Sequence, residues 1–168
     1  MKQVSVIFSK HKGFNLFSWL IMKSLDTPFS HVAVKMVDGD TNQVVFYQAS
    51  GLTVNVVSEE SFMNEEVIIY QKDIFVSDKV YIAGKTFAIA QLGKPYGIPA
   101  IFGFVAQIAL SKIGIKIENP AKSNGSQFVC SQFAAAYIEA ADGITLDVTD
   151  MTPKALYEVI QTLPYLWM

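Results

Sequence analysis

A single cysteine is the residue of this chain best suited to covalent chemistry. Cys130 is the only cysteine among 168 residues, and it stands where a polar stretch gives way to the alanine-rich segment Ser131–Ala140. That segment has a high helix propensity, so Cys130 falls in a first helical turn. There, the backbone N–H groups and the positive end of the helix dipole favour the thiolate over the thiol. The same N–H groups can stabilise an oxyanion on an attacked carbonyl.

A histidine begins a predicted strand far from Cys130 in the sequence. The segments His31–Met36 and Val44–Ala49 are mainly apolar, with the turn-forming residues Asp38–Asp40 between them. This pattern predicts an antiparallel hairpin. If the hairpin is symmetrical about Gly39 and Asp40, its directly opposed pairs are His31 with Gln48, Ala33 with Phe46, and Lys35 with Val44.

The predicted pairing gives His31 a partner for one of its ring nitrogens. Directly opposed side chains have Cβ atoms about 4.5–5.5 Å apart, which allows a hydrogen bond between His31 and Gln48. A glutamine carbonyl that accepts from the imidazole would fix the ring and leave the other nitrogen for a thiol. A register slip of one residue would turn Gln48 to the opposite face.

The composition excludes several classes of function. Hydrophobic residues make up 51% of the chain and charged residues 17%, the mean hydropathy is +0.32 and the net charge is −2. This composition excludes disorder and predicts a dense core with some apolar surface. No block of basic residues occurs, so nucleic acid is not expected as a partner. One cysteine and two histidines are too few for a disulfide or a cysteine-based zinc cluster, so we expect no metal and no cofactor.

Apolar periodicity predicts strands and helices without regular alternation. Predicted strands are Val4–Phe8, His31–Met36, Val44–Ala49, Leu52–Val57 and Glu66–Gln71. Predicted helices begin near Leu16, after Ser77, at Ile98, at Cys130 and after Thr152. The fold class is therefore α+β, with an antiparallel sheet of about five to six strands packed against helices. No linker or repeat interrupts the chain, so we expect a single domain over residues 1–168.

Two apolar stretches bear on location. Val4–Phe8 is too short for the core of a signal peptide, and no small-residue cleavage site follows it. Ile98–Leu110 falls short of the roughly 20 residues that span a bilayer, which favours a buried helix or a helix on a membrane surface. We therefore expect a cytoplasmic protein.

Four short motifs occur in a fixed order between residues 29 and 133. They are Phe29–Val34, Tyr47–Gly51, Leu92–Gly97 and Phe128–Phe133. The ordered set resembles the permuted NlpC-type papain-like proteins, a group that includes the lecithin retinol acyltransferase-like enzymes. Each motif is weak alone, but the order of all four is fairly specific. In ordinary NlpC-type enzymes the cysteine precedes the histidine; here the histidine comes first, as a circular permutation predicts.

This resemblance implies a circularly permuted papain-like fold and a role for each motif. It makes Cys130 the nucleophile, His31 its base and Gln48 the third polar residue. It also assigns Tyr96 and Ser131 to substrate binding.

Two positions depart from the pattern of that group. Gly97 stands where an aspartate commonly follows the tyrosine, which alters the groove near the site. The third polar position is commonly Glu, His or Asn, whereas Gln48 is neutral. A glutamine can orient an imidazole, but it cannot stabilise an imidazolium as an anion would.

The expected function is a cysteine-dependent hydrolase, an amidase or peptidase, that forms a thioester acyl-enzyme. Two alternatives stay open: a lipid acyltransferase or thioesterase of the same fold, and a non-catalytic binding module. The apolar stretch Ile98–Leu110 favours the lipid alternative. That alternative implies a peripheral contact between the protein and a membrane. The expected partners are thus a peptide, amide or lipid substrate, and the oligomeric state stays open. Without a signal peptide, access to cell-wall murein requires a separate route such as phage-associated lysis.

Overall fold

A computed structural model describes residues 1–39, 41–97, 127–163 and 166–167, together with positions 103, 110, 114 and 115. Within these residues the strands are β1 (Lys2–His11), β2 (His31–Val37), β3 (Val44–Ser50), β4 (Thr53–Ser58), β5 (Glu66–Val76) and β6 (Leu166–Trp167). The helices are α1 (Leu16–Leu25), α2 (Glu59–Glu65), α3 (Asp78–Gln91), α4 (Cys130–Asp142) and α5 (Pro153–Thr162).

The strands form one sheet in the order β4-β3-β2-β1-β5-β6. Strands β1 to β5 pair in antiparallel fashion, and the two-residue β6 pairs parallel to β5. The predicted α+β class with an antiparallel sheet is therefore confirmed. Strand β5 runs five residues beyond its predicted end at Gln71.

Helices cover the sheet on both faces, which explains why consecutive residues of its central strand are all buried. On β1, Val4, Val6 and Phe8 belong to the large core against which α3, α4 and α5 pack. Ile7 points the other way, into a small cluster with Phe62 of α2. Side chains alternate between the two faces of a strand, so burial on both faces requires a cover on each.

Helix boundaries follow the capping residues that the sequence offers. Ser77 and Thr152 accept hydrogen bonds from the N–H groups of Val80 and Ala155 at the starts of α3 and α5. Such side-chain caps satisfy N–H groups that have no partner within the helix. Helix α1 ends at Leu25, and its C-cap Asp26 has a φ of 53°.

The predicted register of the β2–β3 hairpin is wrong by two residues. Ala33 pairs with Gln48 and Lys35 with Phe46, rather than His31 with Gln48. The connection is longer than predicted, because the N–H of Asp38 bonds to the carbonyl of Gln43 and closes a wider loop. A shift of two residues leaves every side chain on its predicted face, since side chains alternate with a period of two.

Two predicted segments fall outside the described residues apart from isolated positions. They are the apolar helix Ile98–Ile115 and the polar loop 118–127. Among the residues that the structure does describe, no helix combines the length and apolar character needed to cross a membrane.

Candidate active site

Helix α4 begins at Cys130 and holds it rigidly. The side chain of Gln132 accepts a hydrogen bond from the backbone N–H of Val129 at 3.3 Å, which fixes the start of the helix. The same side chain donates to the carbonyl of Thr149 at 2.6 Å. Cys130 is buried, with 3% of its surface exposed, and it packs within the large core. The thiol therefore has little freedom to change position.

The thiol of Cys130 and the imidazole of His31 lie close enough for each to shift the pKa of the other. The sulfur also lies 4.0 Å from the carbonyl oxygen of Ser30, the residue before β2. The start of β2 and the start of α4 thus meet at one end of the sheet. This is the arrangement that the sequence predicted for a nucleophile and its base.

The environment favours charge separation within this pair. Burial alone would raise the pKa of Cys130, but the hydrogen bond and charge of His31 lower it, with further help from the backbone N–H groups of Val32 and Ser131. Burial likewise opposes a charge on His31, yet the hydrogen bond and charge of Cys130 raise its pKa to about 9. The two groups titrate as a unit. Each group therefore favours the charged form of the other: the imidazole favours the thiolate, and the thiolate favours the imidazolium.

Gln48 fixes the orientation of the His31 ring. Its Oε1 atom lies 2.7 Å from Nε2 of His31, although the two residues are diagonal rather than directly opposed in the ladder. Long side chains on one face can bridge such diagonal positions. Because Oε1 can only accept, Nε2 carries the proton and donates. Nδ1 is then the ring nitrogen left for Cys130.

Asn55, which sequence reasoning missed, holds Gln48 in turn. Its Nδ2 donates to the carbonyls of Ser50 and Thr53, each at 3.3 Å, so its Oδ1 faces Gln48. The amide of Gln48 donates to that Oδ1 at 3.3 Å. Gln48 must therefore present its own oxygen to His31, which settles the amide orientation from fixed backbone acceptors. Gln48 and Asn55 are a directly opposed pair of β3 and β4.

Tyr96 is a further neighbour of the Cys130 thiol. Burial, together with the charge and hydrogen bond of Cys130, raises the pKa of Tyr96 well above its ordinary value. The phenol therefore favours its protonated form, which can donate a hydrogen bond. Its backbone N–H bonds to the carbonyl of Leu52 at 2.8 Å, which ties the Leu92–Gly97 motif to the β3–β4 turn. Tyr96 also lines the cleft that reaches His31.

Ser131 differs from the others in where its side chain points. Its hydroxyl is fully buried and donates to the carbonyl of Met151 at 2.6 Å, away from the cleft. The side chain anchors α4 to the segment before α5. Ser131 contributes its backbone N–H to the site, and this group faces the sulfur of Cys130.

An open cleft of about 590 Å³ leads to His31 and Tyr96. Phe17, Ile21 and Leu52 form an apolar part of its lining. A charged part is formed by three residues, His11, Glu65 and Glu66. The cleft can therefore accept a substrate with both an apolar and a polar portion.

His11, which lies between Lys10 and Lys12 in the sequence, also lines this cleft. Its Nδ1 lies 3.5 Å from Oε1 of Glu66, and the two residues pair across β1 and β5. Nothing local in the sequence indicates this neighbourhood, because β1 and β5 are far apart in the chain and their register contains a bulge after Phe8. Non-local register of this kind cannot be read from a pattern of residues.

No grouping of three or more potential metal-ligating side chains occurs within the described part of the chain. No protein-family model matches the sequence, and no curated protein matches it.

Proposed function

We propose that the protein is a cysteine-dependent hydrolase of amide bonds, an amidase or peptidase, with Cys130 as nucleophile and His31 as its acid and base. The observation that carries this proposal is the juxtaposition of Cys130 at the start of α4 with His31 at the start of β2, where the sulfur lies 4.0 Å from the carbonyl oxygen of Ser30 and an open cleft reaches His31. A buried cysteine with only a packing role would have no polarised imidazole against its sulfur.

In the first step, the thiolate of Cys130 attacks the carbonyl carbon of the substrate and a C–S bond forms. The tetrahedral intermediate collapses with cleavage of the C–N bond. The proton on Nδ1 of His31 passes to the departing amine, which leaves as a neutral product. A thioester acyl-enzyme and a neutral imidazole remain.

Two donors are positioned to hold the oxyanion of the intermediate. The backbone N–H of Cys130 belongs to the first turn of α4, where N–H groups lack intrahelical partners. The protonated hydroxyl of Tyr96 faces the same sulfur. Donors that are already oriented toward the developing charge stabilise it without reorganisation.

In the second step, neutral His31 takes a proton from water as the water attacks the thioester carbonyl. The C–S bond breaks, the carboxylic acid departs and the thiolate and imidazolium pair is restored. Gln48 keeps Nε2 as a donor throughout, so Nδ1 alone exchanges protons with the reacting groups.

We further propose that the fold is a circularly permuted papain-like arrangement. Its support is that the strand with the base precedes the helix with the nucleophile, while the two still meet at one end of an antiparallel sheet. The four ordered motifs between residues 29 and 133 support the same assignment.

A second candidate is acyl transfer or thioester hydrolysis on a lipid, by the same residues. It is favoured by α1, which has no buried residue although it is strongly apolar. Phe14, Leu16 and Trp19 are 83%, 56% and 44% exposed beside the cleft, whose lining includes Phe17. Lys23 on the last turn of α1 supplies a positive charge that suits an anionic lipid surface.

A generic acyl donor tests the chemistry without knowledge of the substrate. With p-nitrophenyl acetate we expect a burst of p-nitrophenolate and one acetyl group on Cys130 by intact-mass spectrometry. Cys130→Ala should show neither, and His31→Gln should acylate at least 100-fold more slowly, as expected for loss of an acid–base group. If the wild-type protein gains no acetyl group, only a binding module of this fold remains.

A panel of substrates then separates the two catalytic candidates. Turnover of peptide p-nitroanilides in solution supports the amidase. Turnover only of long-chain esters presented in vesicles supports the lipid enzyme instead.

A further inference from the structure

The carboxylate of Glu66 lies near the pair formed by Cys130 and His31. Ser9 pairs directly with His31 across β1 and β2, so the two side chains share one face of the sheet. The hydroxyl of Ser9 is fully buried and donates to Oε2 of Glu66 at 2.7 Å. Glu66 and His31 thus flank the same buried serine, and both line the cleft.

The position of Glu66 is fixed on two sides. Its Oε1 lies 3.5 Å from Nδ1 of His11, and its other oxygen is held by Ser9. The side chain of Glu66 is only 14% exposed. A charge that is held in place and partly removed from solvent acts on its neighbours more strongly than a charge on a freely solvated side chain.

His31 lacks an anionic partner at the position where one is expected. Its hydrogen-bond acceptor Gln48 carries no charge, and neither does Asn55 behind it. Gln48 and Asn55 therefore fix the orientation of the ring, but they supply no negative charge to stabilise the imidazolium. We propose that Glu66 supplies that charge across the sheet and is a positioning residue for the catalytic pair. This inference rests on the function proposed above.

Within the part of the chain that the structure describes, Cys130 approaches His31 from α4, and Phe62 of α2 lies 6.4 Å away, ring to ring. Glu66 of β5, Glu65 of α2 and His11 of β1 form the charged part of the cleft lining. Apart from the Cys130 thiolate, Glu66 is the group whose charge raises the pKa of His31.

The decisive experiment is an NMR titration of the imidazole resonances in the intact protein. His11 and His31 are the only histidines, and a His11→Gln variant assigns the two signals. Glu66→Gln removes the charge but keeps an oxygen for Ser9. We expect it to lower the pKa of His31 from about 9 by roughly half a unit. Adding a carboxylate at the neutral partner, Gln48→Glu, should restore it in the Glu66→Gln background.

Two controls give the result its meaning. Glu60→Gln makes the same charge change at an exposed position of α2, and it should leave the titration of His31 unmoved. Glu66→Asp keeps the charge and should retain most of the elevation. An unchanged pKa in Glu66→Gln, or an equal drop in Glu60→Gln, overturns the proposal.

If Glu66→Gln does not fold, Ser9→Ala provides the test, because it keeps the charge but removes the bond that holds it. We then expect a smaller drop in the same direction, and no drop refutes the inference. The titration needs no turnover, so it is independent of the hydrolase assignment. A wild-type Cys130 that alkylates with an ordinary thiol pKa would overturn the proposed function while the Glu66 effect on His31 remained measurable.

Discussion

The side chains of His31 and Gln48 meet at 2.7 Å although the ladder pairs Gln48 with Ala33. The contact is therefore diagonal, and it depends on the length of the glutamine side chain. A shorter amide at this position would fall short of the ring. Because the β2–β3 loop is longer than the sequence predicted, Gln48 is not directly opposite His31. The length of the Gln48 side chain allows it to reach the ring from the diagonal position.

The first prediction concerns this diagonal contact. Gln48→Leu should slow acetylation of Cys130 by p-nitrophenyl acetate by roughly 10- to 100-fold, because the ring loses its fixed orientation and its Nε2–H loses a buried acceptor. Acylation rates from stopped-flow release of p-nitrophenolate provide the measurement. Gln43→Leu, in the exposed β2–β3 loop, is the matched control and should acylate at the wild-type rate. Equal rates in Gln48→Leu and wild type would remove Gln48 from the site.

The second prediction is the pH dependence of thiol reactivity. Burial opposes ionisation of Cys130, but the hydrogen bond and charge of His31 outweigh it and lower the pKa of the thiol below its ordinary value. Alkylation by iodoacetamide should therefore stay fast from pH 8 down to pH 6, where a free cysteine of pKa about 8.5 slows about tenfold per unit. In His31→Gln the burial of Cys130 is no longer opposed by a partner charge, so its alkylation should be fast only at alkaline pH. A wild-type profile that tracks a free thiol contradicts the ion pair.

The third prediction concerns the pKa of His31 when its partner Cys130 is removed. In Cys130→Ala the thiolate that raises the pKa of His31 is absent, while the burial that lowers it stays. The pKa of His31 should therefore fall from about 9 to below its ordinary value of 6.5. Imidazole NMR measures the change directly, and His11 serves as an internal reference. A His31 that still titrates near 9 in this variant would show that its proton is not held by Cys130.

Local patterns were sufficient to predict much of this site. The helix propensity after Cys130 and the apolar alternation after Ser30 each depend on neighbouring residues, and both elements begin where they were expected. The pairing of Gln48 with Asn55 across the tight turn at Gly51 was also within reach of the sequence, since Gly51 has the positive φ of 62° that a turn favours.

The remaining features depend on contacts between distant segments. Glu66 reaches the site only because β5 pairs with β1 on the far side from β2, with a bulge that offsets the register. The inward turn of the Ser131 hydroxyl depends on Met151, 20 residues further along the chain. Neither neighbour is indicated by the spacing of residues within one segment.

The fourth prediction addresses the apolar surface of α1. If the lipid candidate holds, the wild-type protein should float with vesicles that contain anionic phospholipid, and Trp19 fluorescence should shift to the blue on binding. Replacing two exposed side chains, Leu16→Ser with Trp19→Ser, should abolish flotation. Ile82→Ser is the matched control, because Ile82 is 61% exposed on α3 and outside the lining of the cleft. Absence of flotation in the wild type would leave the amidase as the better candidate.

The fifth prediction concerns the packing that holds α4, and with it Cys130, in place. A Cβ on Gly84 of α3 would lie 2.5 Å from the hydroxyl oxygen of Tyr137 on α4 and 2.6 Å from its ring carbon Cζ. Tyr137 is 1% exposed, so its ring has no space into which to withdraw. Gly84→Ala should therefore lower the free energy of unfolding by about 1–3 kcal/mol, despite a gain in helix propensity of about 1 kcal/mol. Urea denaturation measures this loss, and Gly13→Ala, where a Cβ meets nothing within 4 Å, should cause none. A Gly84→Ala protein as stable as wild type would mean that α3 and α4 can separate without cost, and the position of Cys130 would then need another anchor.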